Sequence, residues 1–176
     1  MNLINEPSHY SAEYWIQGLN LIDHIEGGYY RRIYTSSDVI EPPGLPDRYE
    51  TARHFASAIY YLLTEKRFSA FHILKSDEIW CHLDGSAITI HILDESGAYH
   101  SNNLGKDLSR GEVPQMVVPA GTLFAASIQP QGNYSLAACI VAPEFTFADF
   151  IMPGRQELIK RFPHQRELIE SLTHPG

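Results

Sequence analysis

Residues 72–85 read H-I-L-K-S-D-E-I-W-C-H-L-D-G, and residues 115–124 read Q-M-V-V-P-A-G-T-L-F. In an extended chain alternate side chains share a face, so His72 and Leu74 project together, as do Glu78, Trp80 and His82. Lys75-Ser76-Asp77 interrupts the first stretch and Gly85 closes it, which makes it two consecutive strands with polar groups on one side. In the second stretch Pro119 and Gly121 punctuate an otherwise apolar run.

Short strands of the same kind follow outward in both directions. The segments 29–35, 58–63, 69–74, 78–83, 87–93, 116–118, 122–128 and 136–141 are rich in aromatic, aliphatic and β-branched residues. Many short strands separated by turn residues predict a sandwich or barrel. The ends differ. Ser11 caps a short helix with Glu13 in its first turn and Gly18 at its end, and Tyr14, Trp15 and Leu19 form its apolar face. At the other end 155–162 and 165–172 have helical spacing on either side of Pro163. The segment 36–50 holds Pro42, Pro43, Gly44 and Pro46, so it is neither a regular helix nor a central strand. A loop of that length is a lid, a binding loop or an intersubunit arm.

The 176 residues suit one domain over 1–176, with a barrel core over about 27–150 and a helical tail over 154–172. With 13 Lys and Arg against 21 Asp and Glu the net charge is −8, which disfavours nucleic acid and anionic membrane as partners. Cys81 and Cys139 stand far apart in apolar stretches and read as buried free thiols in a reducing compartment. No basic stretch followed by an apolar one opens the chain, so no signal peptide and a cytoplasmic location are expected.

The two opening stretches resemble the paired motifs of the cupin superfamily. In that pattern His72 holds the first His place, Glu78 the Glu place, Gly85 the closing Gly place, and Pro119-Ala120-Gly121 the P-x-G place. Leu74 and Phe124 stand where the other two metal-ligating His residues are usual. The chain further resembles a small cupin family of unassigned activity, cupin family five, through six segments in order. These are E-G-G-Y-Y-R (26–31), A-I-Y-Y-L-L (58–63), F-S-A-F-H (68–72), D-E-I-W (77–80), P-Q-M-V-V-P-A-G (114–121) and V-A-P-E-F-T-F-A-D-F (141–150). The resemblance implies an all-β, double-stranded β-helix jelly roll (a cupin barrel), commonly a homodimer. It implies no reaction.

The candidate site follows from strand alternation together with this resemblance. His72 and Glu78 are candidate catalytic groups facing the interior; the alternative is that they merely satisfy each other there. Tyr60 and Tyr61 face opposite ways, so one can serve as a phenolic acid, and Tyr60 is the candidate. Trp80, His82, Gln115 and Phe124 are candidate ligand contacts. His24 and five other histidines show no recognisable spacing, and Glu26-Gly27-Gly28 lacks phosphate-loop spacing and reads as a tight turn.

The expected function is binding of a small molecule inside the barrel without a metal or other cofactor. One alternative is an epimerase- or isomerase-like enzyme on a sugar or nucleotide-sugar, with His72 as base. Another is a metal-dependent oxygenase or isomerase with a reduced ligand set of His72, Glu78 and His82.

Overall fold

The computed structural model describes residues 10–130 and 132–175. The first residues of the chain, on which the signal-peptide expectation rests, lie outside that range.

Two six-stranded sheets face each other in a jelly roll. The strands are β1 (Ile22–Asp23), β2 (Tyr29–Thr35), β3 (Val39–Ile40), β4 (Arg53–His54), β5 (Ser57–Thr64), β6 (Ser69–Leu74) and β7 (Asp77–Gly85). They continue with β8 (Ile88–Leu93), β9 (Tyr99–Leu104), β10 (Glu112–Val113), β11 (Gln115–Val118), β12 (Leu123–Ile128), β13 (Tyr134–Ala142) and β14 (Phe150–Ile151). One sheet has the order β1-β2-β5-β13-β7-β11, the other β10-β9-β8-β12-β6-β14, and β3 pairs with β4 beside them. All the sheet pairings are antiparallel except β9 with β10. This is the all-β cupin barrel expected from the sequence.

The strands carry apolar residues on both faces because both faces are covered. Inward, Tyr61, Leu63, Trp80, Ile88, Ile90, Leu104, Phe124 and Ile128 form the barrel core. Outward, helix α1 (Ala12–Gly18) lays Trp15 and Ile16, with Leu19 beyond its end, over Leu62 and Leu136. Helices α2 (Arg155–Arg161) and α3 (Arg166–Ser171), with Phe162 and Leu172 just beyond them, cover Phe71, Leu93 and Leu123 of the other sheet. Each fully buried Leu, Ile or Phe contributes roughly 1.5–3 kcal/mol, so these satellite clusters fix the outer faces. Ser11 caps α1 by accepting from the Tyr14 amide, as its sequence predicts. Tyr14 itself departs from the expected apolar face: it is 51% exposed and stacks on Tyr10.

Two further features differ from the sequence reading. Strand β9 is a largely exposed strand of sequence Y-H-S-N-N-L, whose polar residues carry little strand signal. The loop 36–50 is tied to the β6–β7 turn, with the Arg48 guanidinium and the Tyr49 hydroxyl donating to the Lys75 carbonyl at 2.6 and 2.9 Å. Just beyond it, Arg53 grips Asp149 through two hydrogen bonds of 2.6 and 2.8 Å. The Asp149 carboxyl stays below the usual carboxylate range because Arg53, Thr146 and Lys75 together outweigh its own burial. This pair anchors the segment 145–150, which brings Phe145, Phe147 and Phe150 to one end of the barrel.

Candidate functional site

A cavity opens at that end of the barrel. It is lined by His24, Glu26, His72 and Glu78, by Tyr30, Arg32 and Ser57, and by the apolar Ile59, Leu74, Cys139, Val141 and Phe145. Its free volume is about 30 Å³, within about 430 Å³ of non-atom space that runs out to solvent. Register explains the gathering. Val141 lies opposite both Ser57 and Glu78, Cys139 lies opposite Ile59, and Ile59 lies opposite Arg32. The inward rows of β2, β5, β13 and β7 therefore end together.

His24 and Glu26 arrive differently, from the turn before β2. The turn closes with Gly27 N–H donating to the His24 carbonyl at 3.1 Å. Glu26 and Gly27 then use their carbonyls to dock on the barrel: the Ala70 amide donates to Glu26 at 2.9 Å and the Tyr61 hydroxyl to Gly27 at 2.8 Å. Gly27 has φ +114°, and a Cβ there would lie 2.0 Å from the Phe68 carbonyl oxygen. Only glycine allows this approach. The approach carries the Glu26 side chain inward.

Inside the cavity Glu26 is the hub. Its Oε1 accepts from the Ser69 hydroxyl at 2.9 Å. Its Oε2 lies 3.5 Å from His24 Nδ1 and 3.5 Å from His72 Nε2. These separations exceed a normal charge-assisted hydrogen bond of about 2.7–2.9 Å, so the groups are adjacent without being locked. His72 Nδ1 is 2.7 Å from the Ala70 carbonyl. A carbonyl only accepts, so Nδ1 carries the hydrogen and Nε2 is the nitrogen presented to the cavity. Burial pushes the His24 imidazole below its ordinary value, with the nearby Glu26 carboxylate opposing the shift.

Glu78 faces the same cavity and takes a hydrogen bond from Trp80 Nε1 at 2.7 Å. Its carboxyl is pushed up to about 8, first by burial and then by the neighbouring Glu26 charge, with the Trp80 bond partly offsetting both. At neutral pH Glu78 is therefore mostly a protonated acid. No hydrogen bond joins His72 and Glu78 among the described residues; each has a different partner.

The remaining sequence candidates are placed as follows. Trp80 is buried behind Glu78 as its donor, and Phe124 packs on the His72 ring at 4.2 Å between centroids. Tyr60 is on the outer face beneath α1, whereas Tyr61 faces the interior. Tyr60 is thus corrected as a cavity residue, because β5 turns its odd-numbered positions inward. His82 is inward too, but four residues beyond Glu78, about 13 Å along the strand. It bonds the Ser86 carbonyl at 3.0 Å. Gln115 is exposed and donates to Cys81 Sγ at 3.3 Å. Neither His82 nor Gln115 lines the cavity. The groups missed from sequence are His24 and Glu26; the available sign was the acid beside a glycine pair.

A model of the family described as Cupin superfamily (DUF985) matches residues 13–153. The chain belongs to this family. An uncharacterised protein of Saccharomyces cerevisiae is 30% identical over 162 residues, covering 84% of this chain and 78% of that protein. A protein of Shewanella oneidensis solved by X-ray crystallography is 34% identical with a TM-score of 0.86, covering 95% of this cupin and 99% of that chain. A hypothetical protein from Leishmania major is 30% identical with a TM-score of 0.85, covering 94% and 100%. Oxalate decarboxylase from Bacillus subtilis shares the fold alone, at 15% identity and a TM-score of 0.50–0.51, covering 85–88% of this chain and 36–38% of that chain.

The fold family implies a metal at the inherited ligand places, and the residues of this cupin do not fit one. Leu74 and Phe124 bring no donor atoms, and His82 is too far along β7 to complete a set with His72 and Glu78. Among the described residues no group of three or more His, Cys, Asp or Glu side chains is arranged to hold a metal ion. Among the described residues no helix is long and apolar enough to cross a membrane.

Proposed function

We propose that this cupin binds a small polar molecule at the cavity end of its barrel and transfers a proton on it, in the manner of an isomerase or epimerase. One observation carries the reading. A buried carboxyl that is protonated at neutral pH, Glu78, shares a cavity with an imidazole whose Nε2 faces inward, His72. Glu78 can give a proton, and His72 Nε2, with the ring hydrogen held on Nδ1 by the Ala70 carbonyl, presents a lone pair to take one.

The roles follow from the bonds. His72 Nε2 takes the proton from a carbon next to a carbonyl while Glu78 delivers its proton to the carbonyl oxygen. The C–H electron pair becomes the C=C bond of an enol, and the reverse transfers return a keto product. Glu26 stands beside His72 to pair with the imidazolium that forms, and Ala70 holds the ring in one tautomer. No oxidant or co-reactant is needed. The small free volume favours a ligand that inserts only its reacting end, and this argues against engulfing a nucleotide-sugar.

The test is hydrogen–deuterium exchange into small carbonyl compounds in D2O, followed by NMR, with and without a chelator. Exchange that persists with the chelator, and falls about 100-fold in His72→Ala and Glu78→Gln, supports the reading. Exchange that survives in His72→Ala removes His72 as the base, and exchange abolished by the chelator returns the metal-dependent alternative.

A further inference from the structure

The floor of the cavity and its mouth carry different chemistry. The floor holds Glu26, Glu78, His24 and His72, and the mouth holds Arg32. Arg32 comes from β2, whose pairing with β5 shifts register between Arg32 and Tyr34. Such a bulge re-aims a side chain. The guanidinium lies 5.9 Å from the Phe145 ring centre and donates to the Phe145 carbonyl at 3.0 Å. Among the described residues its one carboxylate neighbour is Glu144, at 3.8 Å, a separation too long for a hydrogen bond. Glu144 is itself engaged by the His54 amide at 3.0 Å. A guanidinium has five N–H donors, and most of those on Arg32 have no protein acceptor among the described residues. With 38% of its side chain exposed, Arg32 is open to an arriving molecule. Ser57 adds a hydroxyl beside it: Ser57 Oγ accepts from the Phe145 amide at 3.0 Å, which leaves its own hydrogen to donate.

We propose that this is a site for small organic anions: a carboxylic acid of a few carbons, with its carboxylate on Arg32 at the mouth and its adjacent carbonyl carbons toward His72 and Glu78. The proposal rests on the proton-transfer reading of the floor. Three observations converge on it. The planar fork of a guanidinium matches a carboxylate in a bidentate pair. The apolar side chains of Ile59, Leu74, Val141 and Phe145 that line the same cavity suit a short hydrocarbon segment. The free volume of about 30 Å³ limits what the cavity admits to a few heavy atoms. Of the two floor carboxyls Glu78 is largely uncharged at neutral pH, which lessens the repulsion of an anion held at Arg32.

The experiment uses pyruvate and its neutral amide, pyruvamide, with inorganic phosphate as a third probe. Binding is measured by calorimetry to the whole protein and to Arg32→Gln and Arg32→Lys, alongside solvent exchange at the methyl carbon. The expected result is that pyruvate binds at least tenfold more tightly than pyruvamide. Arg32→Gln should erase that preference without changing pyruvamide affinity, and Arg32→Lys should restore part of it. Equal binding of acid and amide, unchanged pyruvate affinity in Arg32→Gln, tighter binding of phosphate, or no binding of any probe overturns the proposal. The floor reading fails separately: pyruvate would then bind through Arg32 while its methyl protons exchange no faster than in buffer alone.

Discussion

The two ends of the barrel interior are built from the same strands and treat polar groups in opposite ways. At the cavity end Glu26, His24, His72 and Glu78 converge on shared space. At the far end Leu63, Ile88, Leu104 and Ile128 pack in the core, and His82 is buried on the same strand row as Glu78. There His82 Nδ1 and the Ser135 hydroxyl are buried with no hydrogen-bond partner among the described residues. A polar group in a closed core is a cost, whereas one facing a cavity is available for chemistry. Trp80, Tyr61 and Phe124 form the layer between the two ends.

The largest effect should come from breaking that layer. Trp80→Ala removes a fully buried indole and the donor to Glu78. We expect a loss of about 3–5 kcal/mol in urea unfolding. A loss below about 1 kcal/mol would mean that the two ends are not separated by a packed floor. Gly27→Ala comes next, at about 3 kcal/mol, because the new methyl meets the Phe68 carbonyl oxygen and φ is positive. Its particular signature is at the cavity end. Displacing the turn withdraws Glu26, so the Glu78 carboxyl, measured by NMR titration, should titrate below about 8. An unchanged Glu78 titration would show that the turn does not position Glu26.

The same contrast explains how far the sequence could be read. The barrel was legible because most of its strands are short runs of aromatic, aliphatic and β-branched residues between turn residues: β2 and β6 lie at 29–35 and 69–74 as expected, and six further strands differ only at their ends. Strand β9 left no trace because it is exposed and polar. Half of the floor was legible, since His72 and Glu78 occupy alternating strand positions. His24 and Glu26 sit in a turn, where no period applies, and reach the cavity only through the contact of Gly27 with Phe68. Alternation also places Tyr60 and Tyr61 on opposite faces without saying which is inward. Packing of Tyr60 under α1 decides it. His82 shares a face with Glu78, but a face does not tell which end of a barrel a residue occupies.

A smaller effect separates the ends by pH. The folded-state Glu78 carboxyl is raised to about 8, so the folded protein binds a proton that the unfolded chain has released. Stability from this group is present at low pH and is lost as pH rises toward 8. Between pH 6.5 and 8 we expect unfolding free energy to fall on the order of 1 kcal/mol per pH unit. That window lies above the ordinary imidazole value, so His24, whose shift has the opposite sign, contributes little to the slope. The slope should vanish in Glu78→Gln. Urea midpoints at three pH values check it, and a wild-type slope that persists in the variant assigns the proton to another group.

The smallest effect belongs to the far end and has the opposite sign. Burial lowers the His82 imidazole, with its bond to the Ser86 carbonyl opposing the shift. The unfolded chain therefore takes up a proton first as pH falls below about 6.5, and wild-type stability is lost in that direction. His82→Leu removes this term. It also exchanges one hydrogen bond to Ser86 for relief of the unpartnered Nδ1, two effects of about 1 kcal/mol each that nearly cancel at pH 7. The variant should match the wild type within about 1 kcal/mol at pH 7 and gain on it toward pH 5, while binding at the mouth stays unchanged. A loss of ligand affinity in His82→Leu would join the two ends into one site and refute their separation.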